Sequence, residues 1–208
     1  MKNIKHFIWD FDGTLMNTYP HITSCFQAAL RDLGIDVPKI DIMRQMLIDI
    51  PHTVKYFSEL YDLSELDEHY KSYYSIAPTE PVQLFPFVKD VLETIKKNGG
   101  NNYIFTNRGD STFPFLEEHG IKDLFTDIVT SSHPHFALKP APDAILYIME
   151  AHGANKENTV MIGDRLCDLG SAYNAGCKTI LLQTKDIPQD LPCDWSIDSF
   201  EDMLNMLK

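Results

Sequence analysis

With 208 residues, the chain is long enough for one substantial domain, or for one domain that carries a smaller insert. Its 18 basic and 30 acidic side chains leave a formal net charge of −12, and an acidic surface of that size repels polyanions, which argues against a nucleic-acid partner. The four cysteines form no CxxC pair, and the sequence has neither a signal-peptide pattern nor an apolar span of about 18 residues. We therefore expect a cytoplasmic, soluble protein without a membrane partner, and a monomer by default.

The first element is a short apolar run at residues 7–9, which predicts a buried strand. It ends in Asp10 and Asp12, and Gly13 then allows a sharp turn. Two carboxylates held so close repel each other unless they share a proton or bind a cation, and Mg²⁺ suits oxygen ligands of this kind. With the charge neutralised, Asp10 can act as a nucleophile and Asp12 can move protons. The alternative is that both aspartates only end the strand in a solvated turn.

The next 65 residues predict helices and no strand. Apolar residues recur at helical spacing, and Pro38, Pro51 and Asp62 separate the segments before Pro78 and Pro81 end the series. The predicted helices span residues 19–33, 40–48, 53–61 and 64–75. We interpret residues 17–81 as an all-helical insert that leaves and returns at the end of the first strand.

After Pro81 helices and strands alternate, which predicts a doubly wound α/β fold with a parallel sheet. The core then comprises residues 1–16 and 82–208, and the helical insert forms a cap over it. Ligands of such sheets bind outside the carboxyl ends of the strands, which is where Asp10 and Asp12 fall. The predicted helices span residues 87–97, 115–119, 143–151 and 166–174, and the predicted strands span residues 103–105, 127–130, 160–162 and 179–182.

Polar residues follow one of these strands and precede one of the helices. Thr106, Asn107 and Arg108 come after the strand at residues 103–105, where a hydroxyl, an amide and a cation can bind phosphate oxygens. Lys139 precedes a proline-stiffened helix start and can pair with a phosphate and with the nucleophilic carboxylate. The alternative interpretations are an ordinary polar turn and a solvated lysine.

A second pair of carboxylates follows the strand at residues 160–162. Asp164 comes directly after Gly163, and Asp168 lies four residues later, one helical turn away. Both carboxylates can therefore face the ends of the strands. The alternative for Asp168 is a negative charge that only stabilises the first turn of a helix.

Four motifs together resemble those of the haloacid dehalogenase-like superfamily. They are Asp-x-Asp-Gly-Thr at residues 10–14, Thr-Asn at 106–107, Lys-Pro-x-Pro-Asp at 139–143 and Gly-Asp-x-x-x-Asp at 163–168. The helical insert is similar to that of the subgroup with phosphoglycolate phosphatase and β-phosphoglucomutase. Two positions depart from the pattern: Asn17 stands where relatives usually have Asp, and Ala137-Leu138 stands where they often have Gly-Arg.

The resemblance implies a set of site residues. Mg²⁺ would be held by Asp10, by the backbone carbonyl of Asp12 and by Asp164, with Asp168 acting through water or a neighbouring ligand. The implied substrate is a small phosphorylated metabolite. The residues implied to bind its phosphate are Thr106, Asn107, Arg108 and Lys139.

The implied reaction is phosphate-ester hydrolysis through an aspartyl-phosphate, with Asp10 as nucleophile and Asp12 as general acid and base. Halide displacement is disfavoured, because dehalogenases of this fold lack the second aspartate. A sugar-phosphate mutase stays an alternative, although Ile22 stands where mutases have a histidine, and a phosphonate-cleaving relative would need Lys55 or Lys71 as a Schiff base. A non-catalytic regulator that binds a phosphorylated metabolite is the other alternative.

Overall fold

The computed structural model describes residues 1, 3–75 and 82–208. Pro78 and Pro81, which we predicted to end the helical insert, lie outside these residues. The chain forms two compact units. The core unit comprises Met1–Met16 and Leu84–Lys208, and the helical insert comprises Asn17–Gln83.

The core unit contains one six-stranded sheet in which every pair of neighbouring strands is parallel. All side chains of the first and fourth strands are buried, as expected for the centre of a parallel sheet. The spatial order is β3-β2-β1-β4-β5-β6, so the winding reverses between β1 and β4. The strands are β1 (His6–Trp9), β2 (Asn101–Phe105), β3 (Phe125–Val129), β4 (Thr159–Gly163), β5 (Lys178–Leu182) and β6 (Trp195–Ile197).

Within the described residues of the helical insert, four helices surround a small apolar core. The ring of Phe26 is fully buried, and its centre lies 5.6 Å from that of Phe57 and 5.2 Å from that of Tyr70. The side chain of Asp49 caps the third helix by accepting a hydrogen bond from the backbone N–H of His52. The helices are α1 (Tyr19–Asp32), α2 (Lys39–Met46), α3 (Ile50–Tyr61) and α4 (Leu66–Tyr74).

The described part of the core unit contains five further helices, together with a short 3-10 helix at Lys122–Leu124. The first of them buries Val88, Val91, Leu92 and Ile95 along one face. The five are α5 (Val88–Lys97), α6 (Thr112–Glu118), α7 (Asp143–Ala151), α8 (Leu166–Ala175) and α9 (Phe200–Leu207). Helices and parallel strands alternate from α5 to β5, which confirms the predicted α/β fold. Among the described residues, none of these helices is long and apolar enough to cross a membrane.

The two ends of the core unit at the insertion point lie side by side. Met16 and Leu84 form an isolated antiparallel bridge, and the backbone N–H of Phe85 donates a hydrogen bond to the carbonyl of Leu15. The insertion therefore begins and ends at neighbouring places on the core unit.

The sequence-based prediction missed two elements at the C-terminal end, β6 and α9. β6 is only three residues long and its central residue, Ser196, is polar and exposed, so it lacks the apolar run of a buried strand. α9 begins with a reciprocal cap between Ser199 and Asp202, in which each side chain accepts a hydrogen bond from the other residue's backbone N–H. The Ser-x-x-Asp spacing of this cap is visible in the sequence.

Four predicted elements begin two or three residues too late: β2, α3, β3 and α6. β2 starts at Asn101 rather than at residue 103. The strand can include the polar Asn102 because its buried side-chain amide makes hydrogen bonds inside the protein. Asn102 accepts a hydrogen bond from Trp9 Nε1 at 3.1 Å and donates one to the carbonyl of Leu92 at 3.1 Å. α6 starts at Thr112 rather than at residue 115, since the proline at position 114 lies in its first turn, where proline is tolerated.

Candidate active site

The candidate site lies at the carboxyl ends of the central strands. Asp10 follows β1 and Asp164 follows β4, and these two strands are paired in register. The backbone N–H of Asp10 extends the pairing by donating to the carbonyl of Ile162 at 2.9 Å. Because the winding of the sheet reverses between β1 and β4, this edge is where an open α/β sheet has its ligand-binding crevice.

Three carboxylates form a buried acidic cluster here. Asp10, Asp164 and Asp168 are each at most 1% exposed, and one oxygen from each lies within 4.8 Å of the others. Lys139 joins two of them, since its Nζ donates to Asp10 Oδ1 and to Asp168 Oδ1, both at 2.5 Å. The structure thus brings together four of the predicted site residues, which are separated by up to 158 positions in the chain.

The charges in the cluster depend strongly on one another. Burial by itself would lower the pKa of Lys139, but the carboxylates of Asp10 and Asp168 raise it above its usual value. Burial and the charge of Asp10 raise the pKa of Asp168, against the opposite effect of Lys139. Lys139 is therefore a permanent cation, and it holds two desolvated carboxylates that would otherwise repel each other.

The second oxygen of Asp10 has a different environment. Oδ2 is buried and accepts no hydrogen bond from any residue that the structure describes. The Arg165 guanidinium lies beside this oxygen, with its Nη2 3.5 Å away. A buried carboxylate oxygen with no hydrogen bond is costly to maintain, and such groups are concentrated at functional sites.

Gly163 allows the close approach of α8 to the end of β4. A Cβ atom on Gly163 would lie 2.3 Å from the Cβ of Asp168. Any larger residue would therefore push Asp168 away from Lys139 and from the backbone N–H of Arg165, which donates to Asp168 Oδ2 at 3.0 Å.

We expect Gly163→Ala to destabilise the protein by about 1–3 kcal/mol through overpacking, and to reduce its activity as well. Urea denaturation would measure the loss. Gly109→Ala is the matched control, because its Cβ would meet two serine hydroxyls, Ser132 at 3.3 Å and Ser131 at 3.7 Å, and the nearer one can rotate away. Equal stability of the two variants would contradict the close-approach argument.

Asp12 is not one of the three carboxylates of the acidic cluster. Its Oδ1 accepts a hydrogen bond from Arg108 Nη1 at 2.9 Å, and the side chains are 17% and 11% exposed, respectively. The guanidinium carbon of Arg108 lies 5.5 Å from the ring centre of Phe11 and 5.0 Å from that of Phe115. The ion pair and the two rings hold both side chains in defined positions beside the end of β1.

The residues after β2 contact the same region. The backbone N–H of Thr106 donates to Val129, and its buried hydroxyl accepts a hydrogen bond from the backbone N–H of Arg108 at 3.0 Å. The side chain of Asn107 pairs with the backbone of Lys139: Oδ1 accepts from its N–H at 2.8 Å, and Nδ2 donates to its carbonyl at 3.3 Å. Asn107 thereby anchors the segment that carries Lys139.

Three residues at the site were given no role by the sequence-based prediction. Arg165 lies beside Asp10, Thr14 Oγ1 donates to Asp164 Oδ1 at 3.3 Å, and Gln189 Nε2 donates to the Asp164 carbonyl at 2.5 Å. Thr14 and Arg165 lie inside the motifs, so their positions offered a signal. Gln189 lies in the loop after β5, far from any motif, and no sequence spacing points to it.

The chain belongs to the haloacid dehalogenase-like hydrolase family, since the family model matches residues 7–182. This confirms the predicted resemblance and identifies the protein as a hydrolase. The chain is 26% identical to a phosphoglycolate phosphatase of Aliivibrio fischeri over 87% of this chain and 85% of that protein. It is 31% identical to an uncharacterized hydrolase of Saccharomyces cerevisiae over 88% of this chain and 79% of that protein.

A solved structure is similar to this chain over its whole length. The crystal structure of a predicted phosphoglycolate phosphatase from Haemophilus somnus superposes with a TM-score of 0.83, covers 100% of both chains and shares 24% sequence identity. At that identity the likeness establishes the fold.

Proposed function

We propose that the protein is a Mg²⁺-dependent phosphatase that hydrolyses a small phosphorylated metabolite with Asp10 as its nucleophile. The observation that carries the proposal is the asymmetry of the Asp10 carboxylate. Lys139 holds Oδ1 at 2.5 Å, while Oδ2 is buried and accepts no hydrogen bond from the described residues. A nucleophile needs one fixed orientation and one oxygen that is free of competing hydrogen bonds.

The acidic cluster fits a magnesium ion. Its donors are three buried carboxylates, the hard oxygen ligands that Mg²⁺ prefers. The ligands would be Asp10, Asp164 and the backbone carbonyl of Asp12, with Asp168 contributing through water. A divalent cation bound there supplies positive charge that lowers the repulsion between a carboxylate and an incoming phosphate.

In the proposed reaction, Asp10 Oδ2 attacks phosphorus and the bond from phosphorus to the ester oxygen breaks. Asp12 gives its proton to the departing alcohol, so the products of this step are the alcohol and an aspartyl-phosphate. Asp12 then takes a proton from water, which attacks the aspartyl-phosphate and releases inorganic phosphate and free Asp10. Asp12 enters the first step as the carboxylic acid and the second as the carboxylate; the hydrogen bond from Arg108 orients it beside the end of β1 and favours the carboxylate that takes the proton from water.

The remaining predicted residues bind or position the phosphate. Thr106 accepts a hydrogen bond through its hydroxyl oxygen and keeps the hydroxyl proton to donate to a phosphate oxygen. Arg108 and Lys139 supply positive charge in a protein whose net charge of −12 would otherwise repel a phosphate. Asn107 was predicted to bind substrate, and its two hydrogen bonds with the Lys139 backbone support a contribution through that lysine.

Relatives that are named phosphoglycolate phosphatase, such as the Aliivibrio fischeri protein, point to short phosphorylated acids as the first substrates to test. The experiment is phosphate release from 2-phosphoglycolate, sugar phosphates, nucleotides and an activated aryl phosphate, each with Mg²⁺ and with EDTA. We expect release from at least one of them and its loss in EDTA. An Asp164→Asn variant should need more Mg²⁺ for half-maximal release, whereas the exposed control Asp186→Asn should not. Release that persists unchanged in EDTA would contradict the proposed metal dependence.

A further inference from the structure

Arg165 places a cation beside Oδ2 of Asp10, the oxygen that would attack phosphorus. Its Nη2 lies 3.5 Å from Asp10 Oδ2, and its side chain is only 11% exposed. That distance is too long for a hydrogen bond but short enough for a strong electrostatic attraction, because little water screens the two groups. The guanidinium therefore lies beside the atom at which the new bond to phosphorus would form.

The backbone of Arg165 is fixed by the same cluster. Its N–H donates to Asp168 Oδ2 at 3.0 Å, and Asp168 is in turn held by Lys139 at 2.5 Å. The residue stands between Asp164 and α8, so its side chain starts from a well-defined point at the end of β4. A guanidinium placed in this way needs little rearrangement to meet a ligand.

We propose that Arg165 is a catalytic residue that binds the oxygens of the phosphoryl group while it is transferred to Asp10 Oδ2. The oxygens of a phosphorus bonded to Oδ2 lie within reach of an Nη2 that is already 3.5 Å from that atom. A guanidinium also offers a planar pair of N–H donors that matches two phosphate oxygens. Arg165 keeps its proton throughout: the bond from phosphorus to the ester oxygen breaks, the bond to Oδ2 forms, and negative charge stays on the phosphoryl oxygens.

This role rests on the proposed phosphatase function and adds to it. The two arginines of the site contact different catalytic groups. Arg108 is hydrogen-bonded to Asp12, the proposed general acid and base, whereas Arg165 lies beside the nucleophile Asp10. A merely structural role would be to hold Asp10 in place. The two roles differ in whether the arginine contributes to phosphate affinity.

The first test measures phosphate binding without turnover. Calorimetry with inorganic phosphate and Mg²⁺ would compare the Asp10→Asn protein with Asp10→Asn/Arg165→Ala. We expect the second change to weaken phosphate binding by about tenfold or more, the effect of losing one charge-assisted hydrogen bond. Because neither protein needs to be active, the result does not depend on whether Asp10 is the nucleophile.

The second test measures turnover of an activated aryl phosphate. We expect Arg165→Ala to reduce kcat/KM by about 10²-fold, Arg165→Lys to recover part of the loss, and Arg31→Ala, an exposed arginine of the helical insert, to match the unaltered protein. Unchanged phosphate affinity in the calorimetric pair, with only a lower melting temperature for Arg165→Ala, would overturn the role of Arg165. Undiminished turnover in Asp10→Asn would instead overturn the proposed function.

Discussion

The substitution Asp10→Asn is expected to reduce phosphate release by about 10⁴-fold or more while the protein stays folded. Asparagine has nearly the same shape, but its amide is a poor nucleophile and cannot form the acyl-phosphate. The fold should tolerate the change, since Lys139 keeps Asp168 as a partner and the repulsion between the two carboxylates disappears. Phosphate release under saturating substrate and Mg²⁺ would measure the first effect, and circular dichroism would measure the second.

Asp186→Asn is the control for this experiment, because it removes one exposed carboxylate outside the acidic cluster. It should retain full activity. Trapping of the aspartyl-phosphate would add positive evidence. When a reaction with substrate labelled in its phosphate group is quenched rapidly, the unaltered protein should carry the label and the Asp10→Asn protein should carry none. Label retained by that variant would place the nucleophile elsewhere.

The second large effect is expected from Lys139→Met, which should destabilise the protein by about 3–5 kcal/mol and abolish activity. Methionine fills a similar volume but leaves Asp10 and Asp168 buried and without the ammonium group that lies 2.5 Å from both. Urea denaturation at pH 7.5 would measure the loss. Lys178→Met is the matched control, because its ion pair with Asp194 at 2.8 Å involves side chains that are 47% and 31% exposed, and such pairs contribute about 0–1 kcal/mol.

The loss in Lys139→Met should shrink as the pH falls. Burial and the charge of Asp10 already raise the pKa of Asp168, and removal of the cation raises it further. A carboxyl group whose pKa is higher in the folded state than in the unfolded state binds protons preferentially in the folded state. Stability of the variant therefore rises as the pH falls toward the ordinary carboxyl pKa. A deficit of equal size at pH 7.5 and pH 5 would contradict this account.

The central part of the fold was predictable because its physical signal is local. β1 and β4 are short, fully buried apolar runs, and each ends in a carboxylate. The polar start of β2 was not predictable in the same way, since the Asn102 amide is satisfied by Trp9, Leu92 and Leu124, which lie between 10 and 93 positions away in the chain. The short β6 depends on its pairing with β5 rather than on its own composition.

The candidate site also combines features that the local sequence predicts with features that depend on distant contacts. The motifs placed the carboxylates at strand ends and Lys139 before a helix start, and the structure brings these residues together. Spacing along the chain could not show that Asn107 would pair with the backbone of Lys139, 32 residues away. It also could not reveal Gln189, whose contact with Asp164 exists only because the loop after β5 returns across the end of β4. Such contacts depend on tertiary geometry and not on local pattern.

The side-by-side ends of the core unit have an evolutionary consequence. The chain leaves at Met16 and re-enters at Leu84, and these two residues are bridged to each other. A segment whose ends are already joined can change in length at little entropic cost, about 0.6 kcal/mol for each doubling. Recombination at this point could therefore exchange the whole helical insert without rebuilding the sheet. A single set of catalytic carboxylates could in this way be paired with many inserted domains, and new substrate preferences could arise by exchange of modules rather than by gradual change of the catalytic residues.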